Sequence, residues 1–281
     1  MLQHCGLVVV IGVISGLPLR GHGQHVSLDS LDKPQRRTHD IIRFADAVVY
    51  TVGSPIRWKG KDCLKAGVVI SGTALLTLID EPVMDFWQDR NSGVWDGIER
   101  AGFYYGKPYA VFGLTSGFYL TGVLLNYEWA RETGLILGAA YLTSGTIQTL
   151  MKSVVGRARP GTNVGPWAFD PFTSDPRYHS FPSGHMQVAM VTAMVLAERL
   201  NPVGLKILFY STAGLTLSAR LYSDAHWFSD LVFGGVISWF CTKAVIKSME
   251  TNKFDNPLKR KDKISWSITP SFQGIRIVGR F

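Results

Sequence analysis

The chain has 281 residues, 46% of them hydrophobic and 18% charged, with a mean hydropathy of +0.12. That is too apolar for a disordered chain and too long for a disulfide-stapled miniprotein, and it suits one domain or at most two. The net charge is +8, yet no aromatic–basic interleaving or zinc-finger spacing accompanies it, so no nucleic-acid partner is expected. Cys5, Cys63 and Cys241 are odd in number and widely spaced without a CxxC pair, which excludes a disulfide framework and a cysteine zinc site. The 29 glycines exceed the usual share of about 7%, and many lie inside apolar stretches, where small residues let helices approach closely.

Residues 1–23 read as a signal peptide or N-terminal anchor. The run Leu7–Leu17 has the length of a signal h-region and is too short to span a bilayer, although no Lys or Arg precedes it. Residues 24–63 form a basic N-terminal segment with a short amphipathic helix, Ile41–Val52, ended by Gly53-Ser54-Pro55. Residues 64–247 form a helical bundle, with long apolar helices at 64–80, 108–126, 133–151, 185–200, 203–220 and 226–247. Between the first two, 81–107 is rich in aromatics and acids and reads as an interfacial helix pair. Residues 248–281 are a basic linker and a tail whose alternation, from Ile264 to Ile268 and from Phe272 to Phe281, suggests a hairpin or edge strand.

The expected fold class is therefore all-α: an antiparallel, transmembrane bundle of about six long helices with a short irregular or β-like C-terminal tail. The apolar cores are shorter than the roughly 20 residues a span needs, so each helix taken alone also fits a soluble bundle. Charge placement favours the membrane. Basic residues crowd 33–65 and 243–263, whereas 80–107 is net acidic. Six spans with both basic flanks inside satisfy the positive-inside rule and put the loops 152–184 and 220–226 outside. A signal cleaved before Gln24 would reverse that orientation, but the basic flanks are numerous and the h-region lacks a basic start. The expectation is a bacterial-type inner membrane protein with an extracytoplasmic site, and a soluble periplasmic protein is the alternative.

Three clusters sit at helix ends. Lys152 to Arg159-Pro160 closes the third long helix, Phe181-Pro182-Ser183-Gly184-His185 opens the fourth, and Arg220 through His226 to Asp230 closes the fifth and opens the sixth. In an up-down bundle these ends share one face. Singly, each has an ordinary reading as a capping charge, a turn or a structural His–Asp pair. Jointly, Lys152, Arg159 and Arg220 suit a multiply charged oxyanion, phosphate above all. Ser183 and Gly184 open a helix whose free N–H groups favour an anion. His185 and His226 offer a proton donor and a nucleophile, and Asp230, four residues on, is spaced to fix one histidine tautomer. Arg157 reads as an extra cation for phosphate or a lipid headgroup, Asp224 as a supporting group, and His4, His22, His25, His39 and His179 as structural.

These motifs resemble the type 2 phosphatidic acid phosphatase / vanadium haloperoxidase superfamily. Its pattern is Lys, six residues, Arg-Pro; then Pro-Ser-Gly-His; then Ser-Arg, five residues, His, three residues, Asp. One departure stands out: Ala219 precedes Arg220, with Ser218 one place earlier. The resemblance implies that His226 attacks phosphorus to form a phosphohistidine, oriented by Asp230. His185 protonates the leaving alkoxide and later activates water. Lys152, Arg159, Ser183, Gly184 and Arg220 hold the phosphate, with no metal or cofactor. The implied activity is hydrolysis of a lipid-linked phosphate monoester or diphosphate of the phosphatidate, phosphatidylglycerol phosphate or undecaprenyl diphosphate type, so the partners are a phosphorylated lipid or polyprenyl substrate and the membrane. The alternatives are a soluble acid phosphatase or a vanadate-dependent haloperoxidase of the same superfamily, and a non-catalytic phosphate- or lipid-binding protein.

Overall fold

The computed structural model describes residues 33–89, 93–200, 202–250, 265–271 and 274–280. Nine α-helices follow one another among them: α1 Lys33–Val52, α2 Gly60–Leu76, α3 Asp80–Gln88, α4 Gly93–Tyr105, α5 Pro108–Leu124, α6 Glu128–Val155, α7 Gly184–Arg199, α8 Val203–Tyr222 and α9 Phe228–Glu250. The all-α architecture is thus the one expected, with α3 and α4 as the short pair between the first two long helices. Segment 1–23 lies outside the described residues, as does most of the basic linker. The tail forms two antiparallel strands, β1 Ser265–Ser271 and β2 Gly274–Arg280, with Ile268 opposite Ile277.

Local chemistry sets the helix ends that matter. Pro108 opens α5 at a position where its missing N–H costs nothing. Ser183 caps α7, its hydroxyl accepting from the Met186 N–H at 3.4 Å. Gly156 closes α6 in the left-handed region at φ 57°, and a Cβ there would lie 1.9 Å from the Asp170 carbonyl oxygen, so glycine alone permits the turn.

α5 packs on α6, α6 on α7, α7 on α8, and α9 against α6 and α7, while α4 lies on α8 and α2 on α9. At the start of α6, Trp129 donates to the Arg199 carbonyl at the end of α7, and Arg43 bridges Glu132 and the Met249 carbonyl at the end of α9. α7 and α9 therefore both run antiparallel to α6, and parallel to each other. The three motif clusters all lie at the opposite end. Met84, Met186, Ala189, Ala193, Leu221, Trp227 and Leu231 form a core directly beneath them.

The outward faces are apolar. Leu64, Val68 and Leu75 on α2, Phe112 and Leu124 on α5, and Val203 and Ile207 on α8 are each exposed, a surface suited to lipid rather than water. Among the described residues two helical stretches, 60–88 and 228–250, are long and apolar enough to cross a membrane by length and composition, against six expected spans. α5 and α7 fall short on length: at 17 and 16 residues they reach about 25 Å, against a hydrocarbon core of about 30 Å.

Candidate active site

A cleft of about 340 Å³ opens between the α4–α5 junction, α6, Arg159 of the loop after α6, the start of α7 and the turn that carries His226. Lys152, Arg159, Gly184, His185 and His226 line it, as the sequence reading anticipated for one bundle face, and Gly106, Lys107, Val111, Phe112 and Gln148 complete its walls. Ser183, Arg220 and Asp230 do not line it. Each is buried against a protein partner instead.

The cations divide into two kinds by what holds them. Lys152 Nζ donates to the His179 carbonyl at 2.6 Å, and Arg159 donates to the carbonyls of Ala225, Pro176 and His179 at 2.8, 3.1 and 3.3 Å. Main-chain oxygens, not carboxylates, aim these two side chains. Arg157 and Arg220 are each matched by carboxylates. Arg157 is buried, donating to Asp230 Oδ1 at 2.6 Å, Asp80 Oδ2 at 2.8 Å, Ser229 Oγ at 2.7 Å and the Pro166 carbonyl at 2.8 Å. The expectation that Arg157 serves as an extra phosphate or headgroup cation is corrected: with every arm committed inside the fold, it ties α3 and α9 together. Arg220 meets Glu99 Oε1 at 2.6 Å, and its Nε has no hydrogen-bond partner among the described residues.

His226 stands in the turn before α9, not on the helix, so helical i,i+4 geometry does not apply. Its Nδ1 lies 2.8 Å from the Ser180 carbonyl and 4.0 Å from Asp230 Oδ2. The direct carboxylate–imidazole hydrogen bond expected from the spacing is therefore not formed. Nδ1 carries the proton toward Ser180, which leaves the Nε2 lone pair for the cavity. Asp230 accepts instead from Ser180 Oγ at 2.5 Å and from the Trp227 N–H at 3.0 Å. Burial, reinforced by the charges of Lys152 and Arg159 and by His185, holds His226 well below the ordinary imidazole value of 6.5, and the Ser180 bond opposes this only in part.

His185 faces His226 across the cavity with ring centroids 6.4 Å apart, and its Nε2 has no partner among the described residues. The Gly106 backbone presses on it: a Cβ at 106 would lie 2.1 Å from His185 Cδ2. Ala219, where the family pattern has serine, packs with its Cβ toward Gly102 on α4, and neither it nor Ser218 reaches the cavity lining. His179 supplies its carbonyl to Lys152 and Arg159, and its Nε2 lies 3.0 Å from the Thr173 carbonyl. The Asp224 carbonyl accepts a long bond from the Gly161 N–H at 3.4 Å.

Asp80, Glu99, Lys107 and Ser180 escaped the sequence reading. Glu99 and Lys107 sit in the segment 81–107 read as interfacial and Asp80 ends the helix read as 64–80; the net acidic balance of 80–107 hid individual partners. Ser180, two residues before the Pro-Ser-Gly-His run, carried no spacing signal. Among the described residues no group of three or more His, Cys, Asp and Glu side chains is placed to hold a metal ion.

Residues 133–254 match the PAP2 superfamily. Two lipid A 1-phosphatases, from Rhizobium etli and Rhizobium johnstonii, are 33% and 32% identical over 113 and 110 residues. Each alignment covers 38% of this chain and 47% or 44% of the relative, so the chain spans under half the length of these curated relatives. A solved transmembrane PAP2 type phosphatidylglycerolphosphate phosphatase from Bacillus subtilis is similar in fold, with a TM-score of 0.50 and 18% identity over 66% of this chain and 96% of that one. Aquifex aeolicus LpxE gives 0.48 and 19%, over 60% of this chain and 95% of its own.

Proposed function

The segment 133–254 carries a PAP2 superfamily domain, and from that premise we propose that the protein is a lipid phosphatase working through a phosphohistidine. One observation carries this reading: His226 Nδ1 is committed to the Ser180 carbonyl, so Nε2 is the nitrogen free to attack, in a cavity shared with Lys107, Lys152 and Arg159, none of which is ion-paired to a carboxylate among the described residues. Nε2 attacks phosphorus and the bond to the ester oxygen breaks. His185 gives that oxygen its proton, then takes one from the water that hydrolyses the phosphohistidine. Lys152 and Arg159, joined by the N–H groups at the start of α7, stabilise the charge on the equatorial oxygens. Arg220 joins them when phosphate displaces Glu99. Side-chain cations supply the electrostatics, and the reaction runs without a metal.

The substrate class is a phosphorylated lipid. Beside the cations the cavity wall turns apolar at Val111 and Phe112, and Phe112 continues onto the exposed apolar face of α5. The phosphate headgroup of lipid A joins phosphatidate, phosphatidylglycerol phosphate and undecaprenyl diphosphate as a candidate, because the Rhizobium relatives are lipid A 1-phosphatases. Arg131, Arg199, Lys206 and Lys247 lie at the helix ends away from the site, which supports embedding with the site outside the cytoplasm. Cysteines introduced at 170–176 should then react with an impermeant reagent in intact cells, and protection would reverse the orientation. The activity is tested by measuring phosphate released from these lipids and from p-nitrophenyl phosphate by detergent-purified protein with EDTA present. Release from the lipids, competitively inhibited by orthovanadate, is expected. Activity that vanishes with EDTA and returns with Mg²⁺ would overturn the metal-free mechanism.

A further inference from the structure

We propose that Ser180 is a positioning residue for the nucleophile, the link through which Asp230 acts on His226. The inference rests on the reading of His226 as the attacking group. Asp230 has no direct hold on the imidazole. Its Oδ1 accepts from Arg157 at 2.6 Å, and its Oδ2 accepts from Ser180 Oγ at 2.5 Å and the Trp227 N–H at 3.0 Å, leaving Nδ1 of His226 at 4.0 Å. What touches Nδ1 is the Ser180 carbonyl, at 2.8 Å.

Ser180 is itself fixed at three points. Its N–H donates to the Arg157 carbonyl at 3.0 Å, its hydroxyl to Asp230, and its carbonyl accepts from His226. Ser180 and Asp230 are fully buried and His226 is 2% exposed, so no water competes for these bonds. The hydroxyl anchors the 180 residue and thereby aims the carbonyl, and the carbonyl fixes both the tautomer and the plane of the ring. Asp230 thus sets the line of attack one residue removed. Without Oγ, the carbonyl loses its anchor and the ring its fixed plane, while the cations that bind phosphate are untouched.

The test compares wild type, His226→Ala, Ser180→Ala, Asp230→Asn and the double variant Ser180→Ala/Asp230→Asn, in detergent, on p-nitrophenyl phosphate and phosphatidate. Active wild type and inactive His226→Ala establish the parent reading; an inactive wild type or an active His226→Ala overturns that reading instead. With it established, Ser180→Ala should lose about tenfold to a hundredfold in kcat with KM nearly unchanged, a loss of the size misalignment causes. The same loss should appear in the single-turnover rate constant with enzyme in saturating excess, which a misfolded fraction does not alter. The double variant should lose no more than Asp230→Asn alone, because the two residues act in series. A Ser180→Ala rate constant within about twofold of wild type, or losses that multiply in the double variant, would overturn the proposal. Should Asp230→Asn fail to fold, the Ser180→Ala single-turnover constant decides alone.

Discussion

The guanidinium of Arg220 lies 2.6 Å from the carboxylate of Glu99, with the arginine side chain 3% exposed and the glutamate 27%. A cation that the motif assigns to phosphate is thus already neutralised from α4. Arriving phosphate must compete with Glu99 for it. Replacing Glu99 by Gln removes the competitor and leaves a buried guanidinium unmatched. The variant should unfold at lower temperature, a cost on the order of 2 kcal/mol given the partial exposure of Glu99. Inorganic phosphate should raise its Tm more than that of wild type, since binding then satisfies the charge. Thermal unfolding with and without phosphate checks this, and equal phosphate shifts in the two proteins would refute it.

The two histidines should separate by leaving group. His226→Ala should abolish turnover on every substrate, because the proposed mechanism then has no attacking nitrogen. His185→Ala should cost about 10²- to 10⁴-fold on a lipid phosphate, whose alkoxide needs a proton, and much less on p-nitrophenyl phosphate. Equal losses on both substrates would remove His185 from the role of acid.

Gly106 should behave as part of that acid. A methyl group placed 2.1 Å from His185 Cδ2 forces the ring to move. Gly106→Ala should therefore lose about a hundredfold on lipid phosphate and follow His185→Ala in its milder loss on the aryl ester. A normal rate on lipid phosphate would show that the ring has room to spare.

The depressed His226 value fixes a pH dependence. In the proposed mechanism neutral imidazole attacks, so kcat/KM should not lose its base as pH falls through 6.5, and the acid limb belonging to His226 should lie well below that value. The same shift bears on stability. Folded His226 binds fewer protons than unfolded histidine, so its contribution is intact above the unfolded value of about 6.5 and declines as pH drops toward the folded one. Burial is the largest cause and the Lys152 charge the next. Lys152→Met should accordingly move the acid limb upward, and a pH–rate profile displaced downward would contradict the electrostatic account.

The parts of this site legible in the sequence are those whose geometry is local. Lys152 closes α6, Gly184 and His185 open α7, and Arg159 and His226 lie in the loop after α6 and the turn before α9, so the order of helix ends suffices to collect them. The His226–Asp230 hydrogen bond does not form because four-residue spacing brings side chains together only within a helix, and α9 begins at Phe228, after His226. The partners of Arg157 are hidden for another reason. Nothing near it in the chain announces that Asp80, 77 residues earlier, will meet its guanidinium at 2.8 Å. Glu99 and Arg220 are 121 residues apart, and their pairing depends on how α4 lies on α8, a matter of packing that no spacing rule carries.

The Arg157 knot also bears on what counts as a unit of this protein. The recognisable family segment runs from 133 to 254, yet one of the two carboxylates that balance its buried arginine comes from residue 80. A fragment cut at 133 would fold around a guanidinium with half its counter-charge missing, and Ser229, whose N–H and hydroxyl both donate to Asp80, would lose its acceptor too. The segment that sequence comparison picks out is not a transferable module. The helices before it are part of the same machine, tied in at Asp80 and again at Arg43 and Glu99.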